Sequence, residues 1–100
     1  MVRADVIYLI KRIPENGGVF DDYEETRRMV YCTIHSVGMR EAYEAMGHGL
    51  NPEVVFELSD YAEYLGEKII VWQGDRYDVI RTYVKGQKIE ITVQRSDRNA

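Results

Sequence analysis

The chain has 100 residues, enough for one domain with one modest core. Hydrophobic residues make up 45% and charged residues 30%, an ordinary balance for a globular chain, and a net charge of −4 with a pI near 5.1 argues against a dedicated nucleic-acid binder, which carries a basic face. The single cysteine, Cys32, permits no internal disulfide and offers no zinc ligand set; no leader pattern opens the sequence and no apolar run approaches a membrane span, so a soluble cytoplasmic protein is the expectation.

Ala4 to Arg12 is short and almost continuously apolar, which predicts a strand covered on both faces and ended by Pro14. Glu15 to Asp22, with Asn16-Gly17-Gly18 inside, reads as a loop or wide hairpin turn. Tyr23 to Val37 predicts a long strand, with Val30, Cys32 and Ile34 on one side and Met29, Tyr31, Thr33 and His35 on the other. Neither side is strongly polar, so the core is expected to cover one and a neighbouring subunit the other.

From Gly38 the period changes. Met39, Ala42, Tyr43 and Met46 stand at i, i+3, i+4 and i+7, which predicts a short amphipathic helix over about 38–47, with Arg40, Glu41 and Glu44 on its other side. Ser36 or Gly38 can cap its start, and Gly47 or Gly49 its end. So short a helix is unstable alone in water and must pack on the sheet. Asn51-Pro52 breaks the chain, and Val54, Phe56 and Leu58 alternate inward along a half-buried strand. Asp60 to Gly66 is a connector with room for one helical turn.

Glu67 to Arg95 carries three runs rich in Ile, Val, Tyr and Thr, separated by Gly-Asp and Lys-Gly-Gln, the pattern of consecutive antiparallel strands. A two-residue loop at Gly74-Asp75 pairs Trp72 with Tyr77 and Ile70 with Val79, and places these four on the core face. At the next turn Ile89, Ile91 and Val93 must share that face. A two-residue turn at Gly86-Gln87 alone would put them on the wrong one, so a three-residue turn Lys85-Gly86-Gln87 or a bulge is expected, with Val93 beside Val79. Six strands and one inserted helix predict a mainly β fold: a small antiparallel six-stranded barrel or rolled sheet, the helix plugging one end or packing outside.

Chemistry is sparse. His35 and His48 have no partners at metal-ligand spacing, and Asp21, Asp22, Glu24 and Glu25 lack the oxygen pattern of a calcium loop. Cys32 suits a buried hydrophobe better than a nucleophile, and neither Gly17-Gly18 nor Gly47-His48-Gly49 is a phosphate loop. The arginines are interleaved with acids, as on a salt-bridged solvent face. No catalytic, cofactor-binding or metal residue is expected. Eight tyrosines are many for this length, and Tyr is enriched both at core rims and at protein interfaces.

Five features together resemble one family. They are the N-terminal strand, the loop Gly17-Gly18-Val19-Phe20-Asp21-Asp22-Tyr23, the strand leading into Gly38-Met39-Arg40-Glu41-Ala42-Tyr43-Glu44-Ala45, the strand Val54 to Leu58, and the hairpin Ile69 to Ile80 followed by Ile89 to Val93. From about Val6 to Arg95 this order resembles the head–tail joining proteins of long-tailed bacteriophages, also called head-closure, adaptor or stopper proteins. Members often carry an Arg- or Thr-rich first strand, whereas here it is Val6-Ile7-Tyr8-Leu9-Ile10.

The resemblance implies one head–tail joining-like domain over 1–100 with no enzymatic activity and no cofactor. It implies a virion protein of the head–tail junction, assembled in the host cytoplasm and without a membrane partner. Copies monomeric in isolation would form a ring on the portal–adaptor complex, close the head after DNA packaging and offer a docking face to tail proteins. DNA would pass through without specific binding. Alternatives are a tail-completion or terminator subunit and a small-barrel nucleic-acid-binding module. From the residues, the loop Glu15 to Asp22, the segment Gly47 to Pro52 and the helix are the expected subunit contacts. The named candidates are Asn16, Gly17, Gly18, Phe20, Arg40, Glu41, Glu44 and His48.

Overall fold

The structure, a computed structural model, describes residues 3–14 and 23–96. The elements run β1 (Arg3–Pro14), β2 (Tyr23–His35), α1 (Met39–Met46), β3 (Val54–Leu58), a single 3₁₀ turn at Tyr61–Glu63, β4 (Ile69–Trp72), β5 (Asp75–Lys85) and β6 (Lys88–Arg95). The six strands close into an antiparallel barrel in the cyclic order β1-β2-β3-β6-β5-β4. The order and type of the elements are those read from the sequence. Closure gives every strand two neighbours, although β2 meets β3 only over Thr33 to His35 and β1 meets β4 only over Tyr8 to Ile10, so the long β1–β2 ladder extends past the closed part of the barrel.

Period-2 alternation fills the interior. Ile7 and Leu9 meet Val30, Cys32 and Ile34, then Val54, Phe56 and Leu58, then Ile70, Tyr77, Ile89, Ile91 and Val93. Phe56 is fully buried, and its ring stands edge-on to Trp72 at 5.4 Å and to Tyr77 at 6.4 Å. The expected double coverage of the first strand holds only in part: Ile10 is buried although it faces away from the interior, whereas Val6 and Tyr8 are half-buried.

Two registers differ from expectation. The β4–β5 loop is Gln73-Gly74 rather than Gly74-Asp75, so Ile70 pairs with Tyr77 and Trp72 with Asp75. Gln73 (φ 53) and Gly74 (φ 83) both take positive φ, the type I′ geometry that puts glycine second. Sliding the loop by one residue moves each pairing by two, so the core face (Ile70, Trp72, Tyr77 and Val79) is unchanged. The β5–β6 turn is the two residues Gly86-Gln87, with Lys85 opposite Lys88, and the expected three-residue turn does not occur. The bulge offered as its alternative is present, farther along the strand between Val79 and Arg81. Val93 therefore pairs with Val79 as expected, but Ile89 pairs with Val84 instead of Tyr83. The bulge also turns Arg81 outward beside Thr92, while Val79 stays inward.

Charged and aromatic groups finish the two barrel ends. At one end Arg28 Nη2 donates to Glu67 Oε2 at 2.7 Å, and the Glu67 side chain is only 4% exposed. Burial alone pushes this carboxyl up, but the Arg28 guanidinium and the Leu65 backbone N–H, 2.8 Å from Oε1, more than offset it and hold Glu67 below the ordinary value. At the other end Trp72 Nε1 donates to Asp5 Oδ2 at 3.1 Å, and Arg3 lies over the indole. Arg95 lies over the Tyr77 ring and donates to its hydroxyl at 3.2 Å.

Candidate interaction surface

Helix α1 lies outside the barrel and does not plug it. Its carboxylate Glu41 faces the sheet: Oε2 is 3.1 Å from Arg81 Nη1 and accepts from Thr92 Oγ1 at 3.4 Å. Thr92 and its β3 partner Val55 both face outward and both are buried, which places α1 over β6 and β5 with β3 at its margin. The strand bulge makes this contact possible, because without it Arg81 would share the inward parity of Val79. Beyond the helix, Leu50 N donates to Ala45 O and Asn51 N donates to Gln94 Oε1 at 2.9 Å, so Gly47 to Pro52 is tied to the barrel and is not the free loop that its glycines suggest.

The apolar stripe consequently points to solvent, the reverse of the sequence expectation. Met39, Tyr43 and Met46 are 77%, 72% and 63% exposed and, with Ala42, border a shallow hollow. No α1 side chain is buried. The physical reason is that the helix docks through an ion pair and a hydroxyl, not through its stripe. A signal was present in the residue types: the stripe is Met and Tyr, which interfaces favour, with no Leu, Ile or Val.

A second apolar surface lies on the outer face of β1 and β2. Val6 pairs with Tyr31 and Tyr8 with Met29. Tyr31 is 73% exposed and Met29 about half exposed. The Arg27 guanidinium lies 5.7 Å from the centre of the Tyr8 ring. Arg76 reaches from β5 to Glu25 on β2, donating at 2.7 and 3.1 Å, and Arg12 joins the same carboxylate at 3.3 Å, which bounds the surface with paired charge. Those cations, Arg76 first, hold Glu25 below the ordinary carboxylate value.

Of the candidate contact residues, Asn16, Gly17, Gly18 and Phe20 lie outside the described residues. Arg40, Glu44 and His48 are exposed on and after α1, with Arg40 Nε 3.9 Å from Glu44 Oε1. Glu41, expected on the exposed side, is instead committed to Arg81 and Thr92. Sequence reasoning did not single out Met39, Tyr43 and Met46 as surface residues, nor the bulge that seats the helix beneath them.

Among the described residues no three His, Cys, Asp or Glu side chains gather as a metal site requires, and no helix is long and apolar enough to cross a membrane. Cys32 is buried, and burial, reinforced by the Asp5 charge, pushes its thiol up to about 11. A depression of about 510 Å³ lies beside Ile10, Arg12, Glu67, Lys68 and Asp78, where Glu67 is already held by Arg28. Besides these two apolar patches, Tyr61, Leu65, Tyr83 and Val84 are exposed elsewhere on the barrel. No protein-family model and no curated protein matches the chain.

Proposed function

We propose that the chain is a structural subunit of a long-tailed phage or prophage, repeated as a ring between the portal–adaptor complex and the tail, where it closes the filled head and receives the tail. The observation that carries this reading is the pair of exposed apolar patches, α1 and the outer face of β1–β2, on one small closed barrel. A monomer working alone gains nothing from several exposed Met and Tyr side chains on two separate faces; a subunit with neighbours covers them. The resemblance in element order supplies the identity of the assembly.

Two further features support it. The net charge of −4 suits a conduit, because a wall that does not bind phosphate does not retain DNA during ejection. The barrel is braced at both ends by ion pairs, which gives a rigid body on which loops can dock.

The test is deletion of the gene in its phage, followed by electron microscopy of the particles. Empty or leaking heads beside complete unattached tails are expected. Full, stable heads with overlong or defective tails would move the chain to tail termination, and normal infectious particles would remove it from the virion.

A further inference from the structure

The two apolar patches lie on opposite sides of the barrel. In the cyclic order β1-β2-β3-β6-β5-β4, the β1–β2 pair stands across from the β6–β5 pair that carries α1. Two different patches facing opposite ways cannot satisfy each other through a two-fold axis. They fit a head-to-tail contact, in which each copy uses one patch on either neighbour, and such contacts close into rings when the rotation allows.

We propose that the α1 stripe (Met39, Tyr43 and Met46) of one copy seats on the outer β1–β2 face (Val6, Tyr8, Met29 and Tyr31) of the next copy. This deepens the ring reading above and rests on it only for the presence of several copies.

Charge and area both point to this occupant. The rim of the sheet patch carries Arg27, which holds no carboxylate among the described residues. The rim of the helix patch carries Glu44, whose cation is Arg40 at 3.9 Å on the same exposed turn. Seating one patch on the other brings these opposite charges together. Three side chains of this size and exposure present on the order of 400 Å², the scale of patches that mark interaction sites. That is about half of the ~800 Å² per partner of a stable two-body interface. One contact is therefore weak in free solution, and a ring, where every copy makes two, is where it persists.

Disulfide trapping tests this without requiring a stable free ring. Tyr31→Cys and Tyr43→Cys chains are made separately, mixed at high concentration and oxidised with diamide. The wild-type chain is the control, since buried Cys32 with its raised thiol stays unreactive. A mixed Tyr31→Cys/Tyr43→Cys dimer several-fold above either self-pair is expected, and a chain carrying both substitutions should give a ladder of oligomers. Met39→Glu with Met46→Glu should abolish the mixed product and leave the melting temperature unchanged, because neither side chain is buried. Tyr43→Cys pairing with itself as readily as with Tyr31→Cys, or no product above wild type, overturns the contact. Trapping in a chain whose gene deletion leaves normal particles would retain the contact and reject the phage role; no trapping beside a head-closure defect would do the opposite.

Discussion

Removing Arg28 should be costly in a way that reverts when Glu67 is neutralised. Glu67 is buried at one barrel end with a side chain 4% exposed, and Arg28 Nη2 donates to it at 2.7 Å while remaining 38% exposed. Breaking a fully buried pair by deleting one partner costs about 3–5 kcal/mol. The water reaching Arg28 discounts this, and Arg28→Ala should cost about 1–3 kcal/mol. Glu67→Gln keeps the volume and can still accept from the Leu65 N–H, so it should cost about 1 kcal/mol. In the double variant the stranded carboxylate is gone, and the cycle should return a coupling of about 1–2 kcal/mol. The pH dependence follows from the same geometry. Glu67 lies below its ordinary value of 4.5 in the folded chain, so the unfolded chain binds its proton first. Its contribution is complete above about pH 4.5 and is lost as pH falls through the folded value. Urea unfolding followed by Trp72 fluorescence, at pH 7 and pH 4, measures both effects. A coupling under about 0.5 kcal/mol at pH 7, or equal acid sensitivity in wild type and Glu67→Gln, would refute this role for the Arg28–Glu67 pair.

Other consequences are as direct. Phe56→Ala, which removes the fully buried ring against Trp72 and Tyr77, should cost about 3–5 kcal/mol in urea unfolding, a large share of a small domain's stability. Gly74→Ala puts a Cβ at φ 83 and should cost about 1–2 kcal/mol, whereas Gln73→Asn, a better residue for positive φ, should leave stability equal or higher. Glu41→Ala should raise amide hydrogen exchange throughout α1 and leave the barrel strands unchanged, because the helix buries no side chain and is held by Arg81 and Thr92. Cys32 should react with a thiol reagent only on unfolding, since its thiol is buried and pushed up to about 11.

The strands were legible because barrel interiors impose period 2, and Val30, Cys32 and Ile34 or Ile89, Ile91 and Val93 announce their face unaided. The hairpin faces survived a misplaced loop because shifting Gly74-Asp75 to Gln73-Gly74 preserves parity. Parity asked for a three-residue turn or a bulge and did not choose between them, nor place the bulge at Ile80, since any residue between Val79 and the turn satisfies the same count. Helix α1 was found and turned the wrong way. An apolar stripe says that something covers it, not whether that is the chain's own sheet or another surface, and Glu41 in the first turn shows no sign in sequence that Arg81 waits beneath it. The exposure of Arg40, Glu44 and His48 was legible; the stripe beside them was assigned to the core.

The most direct test of the ring between head and tail is gold-labelled antibody against this chain on intact particles of its phage, viewed by electron microscopy. Gold confined to the neck, between head and tail, is the predicted result. Gold along the tail or at its tip, or particles that never label although the chain is expressed, would contradict it.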